Sequence, residues 1–482
     1  MSHILCATRS SVSGDHQERN VSHEMTVRNG TVVTGGGPIR ADIGIDGGRI
    51  AAVAARLTPG TTDIDASGLV VVPGAIDPHT HFAIYSARSR TRSVDDYEAG
   101  TRAALLGGVT TVLNCAFQRP GEDLDTAIGR ELELARMAHI DYGFHVAVTD
   151  LDVPDSLGQI RRLRSRGQAS IKVFTSLAPY LLPKRDLLRV LEVAAETGLI
   201  VNVHVEDDAL CTHLTSRSLE SGRSSVAHYA SARPAVAEAL AVEEIGVYAR
   251  AAGASVYFIY LSSEAGVRAA LRARRAGTRA FIETRPLYLF LDDTRYSLPV
   301  TEAQRYVCLP PLRTPADQEA LWHGLRSGDI DTYATDHVAW TAAQKGREEL
   351  PFPEVPAGVS NVQTSVGMLF AEGVRKGRIS LSRFVELTAT NPARIFGLWP
   401  RKGTIAVGSD ADIVLIDPAR RFTVRSDVLA SRADFDLFEG QEFVGWPVVT
   451  VSGGEVVASD GQLLSSPGRG RFLQATQQGA AV

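Results

Sequence analysis

The stretch Val71-Val72-Pro73-Gly74-Ala75-Ile76-Asp77-Pro78-His79-Thr80-His81 decides how the chain is read. A hydrophobic run ends in two histidines one residue apart. On a strand, residues i and i+2 face the same way. His79 and His81 therefore aim two imidazoles at one point, as metal ligation requires. Pro78 has no N–H to give to a ladder, so regular sheet pairing is expected to end about there. The plain alternative is a chance pair of histidines at a strand end, since short motifs often match by accident. What the other strands carry decides between the two.

On the N-terminal side, residues 25–72 read as short β-structure. Thr26-Val-Arg-Asn-Gly-Thr-Val-Val and Ala41-Asp-Ile-Gly-Ile-Asp-Gly-Gly alternate and then break at Asn-Gly and Asp-Gly, which is hairpin chemistry. The other end of the chain repeats the style in Ala411-Asp-Ile-Val-Leu-Ile-Asp and Val448-Val-Thr-Val-Ser-Gly-Gly-Glu-Val-Val. Residues 25–72 and 395–465 are thus expected to build one small β-sandwich domain from both termini. Residues 1–24 are polar and read as a disordered extension, with Met25 as the functional start; residues 466–482 read as a C-terminal tail.

Between the two β-rich ends, residues 73–394 alternate β-rich runs with helical segments. The strand ends are expected at His81, Asn114, Val146, Phe174, His204, Tyr260, Glu283 and Asp336. A representative helix, Arg185-Asp-Leu-Leu-Arg-Val-Leu-Glu-Val-Ala-Ala-Glu-Thr-Gly, is amphipathic and closed by Gly198. Eight β-then-α units predict an α/β fold, the TIM (β/α)8 barrel, with chemistry at the C-terminal strand ends.

Several of those ends carry metal-capable side chains. Lys172 closes an apolar strand, where a bare ammonium is costly. A lysine reaching solvent or an ion pair is the bland reading. His204 ends Val201-Asn-Val-His; alone it would more often be a core histidine satisfied by a backbone partner. Asp336, in Tyr333-Ala-Thr-Asp-His, is placed to bind a metal and shuttle a proton, or simply to cap a helix.

The chain has 482 residues, net charge −5 and pI near 6.2. That balance gives no reason to expect a nucleic-acid partner. No window of about 18 uncharged apolar residues predicts a membrane span. Four scattered cysteines (Cys6, Cys115, Cys211, Cys308) form no CxxC pair and read as reduced thiols of a cytoplasmic protein.

From about Met25 to Gly461 the sequence resembles the dihydropyrimidinase–hydantoinase branch of the amidohydrolase superfamily. The resemblance is carried by Gly74-Ala-Ile-Asp-Pro-His-Thr-His, Asp96-Tyr-Glu-Ala-Gly-Thr-Arg-Ala-Ala, Gly107-Gly-Val-Thr-Thr, Ile171-Lys-Val-Phe and Ser231-Ala-Arg-Pro. It continues through Cys308-Leu-Pro-Pro-Leu-Arg, Tyr333-Ala-Thr-Asp-His, Asn391-Pro-Ala and Lys402-Gly-Thr-Ile-Ala-Val-Gly-Ser-Asp-Ala-Asp-Ile-Val. Phe82 stands where dihydroorotases usually carry an arginine, which argues against that neighbour. The resemblance implies a two-metal centre, usually of Zn2+ though another divalent metal would serve, which the departures below reduce to one or two ions per chain. His79, His81 and Asp336 would hold one ion, Lys172, as N6-carboxylysine, would bridge both, and His204 with a sixth-strand histidine would hold the second. It implies hydrolysis of a cyclic amide or ureide C–N bond in a small-molecule substrate by a metal-bound hydroxide, with Asp336 moving the proton. It also implies a homotetramer or homodimer.

The pattern then breaks. Position 260 should be the sixth-strand histidine and is Tyr260, a poor ligand at neutral pH because its free pKa is about 10. The second metal site is therefore expected to be weakened. A tyrosine that would polarise the scissile carbonyl falls in register on Leu177, with Tyr180 nearby as a substitute. A substrate-binding serine is Leu309, and the acidic stretch after Gly358-Val is Ser360-Asn361. Glu-Thr-Cys-Pro-His becomes Glu283-Thr-Arg285-Pro-Leu287. Leu177, Tyr180, Leu309 and Asn361 are the expected substrate contacts, and a non-standard specificity follows from them. Arg88, Arg90 and Arg92 alternate after His81, where they would meet an anionic substrate or merely line a solvated loop. Two alternatives to the hydrolase remain. One is a non-catalytic structural or regulatory homologue like the collapsin response mediator proteins. The other is a ring-closing biosynthetic cyclase on the same scaffold.

Overall fold

Eight parallel strands pair in sequence order around a barrel: Ala75–Thr80, Val109–Phe117, Asp141–Ala147, Ser170–Phe174, Ile200–His204, Ser255–Phe258, Arg279–Thr284 and Thr332–Tyr333. The structure, a computed structural model, describes residues 22–476. The ring closes between the first and last strands. The His81 N–H donates to His337 O at 3.0 Å and the Asp336 N–H to His79 O at 2.9 Å. The predicted TIM barrel is therefore the fold, and each strand ends within a few residues of its expected position.

Local chemistry explains the elements. The helix Tyr97–Leu106 starts on Asp96, whose side chain accepts the Ala99 N–H. The helix Lys184–Thr197 stops at Gly198, which takes a φ of +71°. Gly107 must be glycine for a different reason: a Cβ there would lie 2.4 Å from Gln363 O.

Regular pairing is interrupted at Pro78, as expected, while the strand itself runs on to Thr80. The missing N–H appears as a register shift against the second strand between Asp77 and Thr80. Pairing resumes because Thr80 meets Asn114 on one side and His337 on the other.

Both ends of the described chain build a nine-stranded sheet. Val70–Pro73 pairs antiparallel with Ile413–Thr423, and Met25–Thr34 lies between Val70–Pro73 and Gly37–Asp46. It has its own small core, including Val27, Ile43, Ile45, Val71, Ile413 and Leu415. Buried Lys402 ties this sheet to the barrel through Asp141, at 2.8 Å, and Asp412. Residues 466–476 run back along the third barrel strand, with the Leu473 N–H on Tyr142 O at 2.7 Å. The disordered extension was expected over residues 1–24; residues 1–21 lie outside the described residues, whereas His23 and Glu24 are held against Asp46. Among the described residues no helix is long and apolar enough to cross a membrane.

Candidate metal centre and substrate pocket

Alternation on the first strand puts His79 and His81 on the barrel axis, as the sequence required. Lys172, from the fourth strand, reaches between them. Its Nζ lies 2.9 Å from His79 Nε2 and 3.4 Å from His81 Nε2. Asp336 follows the eighth strand. Its Oδ1 is 3.1 Å from His81 Nε2 and 3.4 Å from His79 Nε2. Four side chains from three separate stretches of sequence therefore meet at one point. The donor set fits a divalent ion: two imidazoles present Nε2 and a carboxylate oxygen faces both. Burial pushes the His79 imidazole well below its ordinary pKa, with Lys172 adding to the effect, so its neutral, ligating form is favoured. Burial alone would raise Asp336, but Arg285, His81 and Lys172 outweigh it and hold the carboxyl below its usual range.

His79 is aimed by a residue to which the sequence had given no role. Glu283, at the end of the seventh strand, faces His79 Nδ1 at 2.9 Å. It also accepts the Tyr260 N–H at 2.9 Å and the Tyr257 hydroxyl at 2.8 Å. A carboxylate on the far imidazole nitrogen fixes the tautomer that leaves Nε2 free. Cys115, on the second strand, is a further neighbour. It, His79 and His81 each offer a ligand atom within 4.8 Å of the others. Burial alone would raise the thiol, but Lys172 and His81 leave it lowered.

The second half of the centre is built differently. His204 Nδ1 is 2.6 Å from the Tyr260 hydroxyl. Its Nε2 is 3.0 Å from both Ser176 Oγ and Glu206 Oε2. Glu206 is itself paired with Arg233 in a fully buried bridge. Burial, then Asp336, push the Tyr260 phenol well above its ordinary pKa. Arg285 is wholly buried and its guanidinium pairs with Asp336 Oδ2. Both His204 nitrogens are thus engaged within the protein, and the Arg285 cation stands beside Asp336.

A pocket opens above the cluster. His81, Lys172, Tyr260 and Asp336 form its floor, and Leu177, Tyr180 and Leu309 belong to its wall. Phe117, Phe174, Tyr229, Trp340 and Phe352 add aromatic surface to it. Asn361 stands behind this wall, its Nδ2 donating to Thr335 O at 3.2 Å and its Oδ1 buried with no partner. Of the three alternating arginines only Arg88 faces the pocket; Arg90 and Arg92 are exposed.

The profile of the amidohydrolase family matches residues 70–457. The chain is 36% identical over 453 residues to a D-hydantoinase of Rhizobium radiobacter, covering 93% of this chain and 98% of that protein. It is also 36% identical over 464 residues to a D-hydantoinase of Geobacillus stearothermophilus, covering 95% and 97%. The crystal structure of dihydropyrimidinase from Brevibacillus agri superposes with a TM-score of 0.91 at 35% identity, over 94% of this chain and 99% of that one.

The chain belongs to the amidohydrolase family.

Within the family it falls on the hydantoinase–dihydropyrimidinase branch, as a cyclic amidohydrolase. In this amidohydrolase, Phe82 packs edge-on against Tyr97 and His337, with ring centroids 5.8 and 5.4 Å apart. His337, adjacent to Asp336, is not free for an ion. Its Nε2 is 2.9 Å from Asp95 Oδ2, and its Nδ1 accepts the Asn361 and Val362 N–H groups. Three pocket residues, Leu177, Tyr260 and Asp336, hold left-handed φ angles of 76°, 41° and 51°. Such backbone is costly for non-glycine residues and gathers at functional sites.

Proposed function

We propose that this amidohydrolase opens the amide bond of a cyclic ureide that carries a bulky apolar substituent, using one firmly held Zn2+ ion. The observation that carries the reading is the convergence of His79, His81, Lys172 and Asp336 on the floor of a pocket walled by aromatic side chains. Imidazole and carboxylate donors suit zinc. Carboxylation of Lys172 exchanges an amine set against two imidazoles for an anion that can ligate. The bound ion supplies Lewis-acid activation of water and of the scissile carbonyl.

The chain's own groups supply the rest. Asp336, with Oδ2 held by Arg285 and Oδ1 turned to the histidines, accepts the proton of the attacking water and returns it to the leaving ring nitrogen. The Tyr180 hydroxyl accepts the Ala87 N–H at 3.3 Å, so its own proton is left for the carbonyl oxygen as charge builds there. Asn361, behind the wall, supports the strand-end turn by donating to Thr335 O rather than meeting the ring directly. Leu177 and Leu309 replace polar clamps with apolar wall, which favours a substituted ring over a bare one. The second metal site is weak. From the resemblance alone, the working assembly is a cytoplasmic homotetramer or homodimer.

Ring-opening assays with zinc-loaded enzyme test this. Hydantoins with benzyl or isobutyl substituents are expected to turn over, while dihydrouracil and unsubstituted hydantoin are poor substrates. Turnover of the bare rings at about 1–1000 per second refutes the specificity. No ring opening with any substrate refutes the hydrolase reading.

A further inference from the structure

We propose that the Arg285 guanidinium is the second cation of this active centre, occupying by covalent attachment the role a second metal ion would otherwise fill. The inference rests on the one-ion reading above and deepens it.

Arg285 follows the seventh strand and has no solvent exposure. A guanidinium stays charged at any physiological pH, so burying it is costly unless its donors find anions or dipoles. One nitrogen pairs with Asp336 Oδ2. The other donates to the Tyr288 hydroxyl at 2.7 Å, and Tyr288 in turn donates to Pro310 O at 2.7 Å. The group is thus clamped from behind and presents its charge to the carboxylate that faces His79 and His81. Its carbon lies 5.5 Å from the centroid of the Tyr260 ring, whose hydroxyl engages His204. The remaining donor, Nε, is buried without a partner.

These substitutions are one arrangement rather than separate losses. Tyr260 engages His204 Nδ1 and removes it as a ligand. Ser176 and Glu206 engage Nε2. Arg285 then supplies positive charge between Asp336 and the Tyr260 ring that stands in for a ligand of the second ion. A divalent ion brought there would meet a fixed cation and an already paired carboxylate. Arg285 is a positioning residue: it orients Asp336 and leaves Oδ1 for the proton.

Metal stoichiometry by mass spectrometry, and electron paramagnetic resonance of the Co2+-loaded full-length protein, test the assignment. The wild type is expected to bind one equivalent with an isolated high-spin signal. Tyr260→His is expected to stay at one, because Arg285 remains. Tyr260→His combined with Arg285→Cys is expected to take two, with a spin-coupled signal. Two equivalents in the wild type overturn both the one-ion reading and the inference. One in the wild type, with either Tyr260→His reaching two or the double variant staying at one, overturns the Arg285 assignment alone. If the double variant does not fold, Arg285→Ala decides. Added methylguanidinium should restore its turnover at least tenfold without changing its single metal equivalent, and no restoration overturns the proposal.

Discussion

Replacing Glu283 with glutamine removes one charge from the centre and almost nothing else. The carboxylate makes three contacts, to His79 Nδ1 and the Tyr260 N–H through Oε1 and to the Tyr257 hydroxyl through Oε2. A glutamine oxygen can keep the first two. Its NH2 then faces the Tyr257 oxygen, which can accept it because that hydroxyl can donate to Thr332 Oγ1 at 2.6 Å. Packing and hydrogen-bond count are therefore preserved in Glu283→Gln. What is lost is the charge-assisted bond that makes His79 Nε2 a better donor. Burial pushes the Glu283 carboxyl up to about 8, and Asp336 adds to it. A cation bound through His79 favours the ionised form, so the charge matters most when the ion is present. Losing such a partner costs about 10–100-fold in metal affinity, which is about 1.4–2.7 kcal/mol. Competition of Zn2+ between the enzyme and a fluorescent chelator measures it directly, with the melting temperature of the metal-free protein as control. An affinity within threefold of wild type, in a variant whose metal-free melting temperature is unchanged, refutes the claim that Glu283 sets the ligating state of His79.

Three more outcomes follow from the geometry. Asp336→Asn should abolish turnover while circular dichroism and melting stay near wild type; unchanged turnover removes Asp336 from the proton path. Tyr180→Phe should lower kcat by about 100-fold, the usual loss for one oxyanion donor, with KM little changed; full activity would leave the Tyr180 hydroxyl without a catalytic contact. Lys345 is buried, donates to Val307 O at 2.8 Å and Gly358 O at 2.7 Å, and is pushed by burial from 10.5 down to about 7. Its folded pKa lies below its unfolded one, so its favourable contribution is complete above about 10.5 and is lost as pH falls through about 7. Wild-type stability relative to Lys345→Met should therefore rise between pH 7 and 9, with an ideal slope of about 1.4 kcal/mol per pH unit. Urea unfolding at both pH values checks it, and a difference independent of pH counts against a neutral buried lysine.

Much of the barrel was legible because period-two alternation and strand-ending residues are local signals. His79 and His81 are two residues apart, and their common face needs no knowledge of the fold. Lys172, His204 and Asp336 announced themselves as polar groups at the ends of apolar runs. Glu283 and Arg285 were visible as strand-end residues and as departures from a pattern, yet their roles were not. Periodicity says which way a side chain points along its own strand. It does not say which residue, about 200 positions away, it meets across the axis; His79 and Glu283 are separated by 204 positions. Cys115 was missed for the same reason. It was read as one of four scattered thiols, and its place beside the histidines depends on the register in which the second strand pairs with the first. Pro78 was legible as a local break, because a missing N–H interrupts the ladder; the flanking pairs that carry the strand on to Thr80 come from the neighbouring strands.

The left-handed residues link these observations to function. Tyr260 and Asp336 each follow a barrel strand at the point where the chain must leave the sheet while its side chain turns back to the axis. Glycine would hold that backbone at little cost, whereas a non-glycine residue costs about 1–2 kcal/mol. Neither tyrosine nor aspartate signals such a turn strongly, so sequence periodicity does not reveal it. The barrel holds both conformations from outside. The Asp336 N–H is tied to His79 O, and the Tyr260 N–H to Glu283 Oε1. The same two bonds aim the side chains, one carboxylate at the histidine pair and one phenol at His204. Strain and chemistry are therefore borne by the same residues. A substitution that relaxed either backbone would stabilise the fold and loosen the centre together.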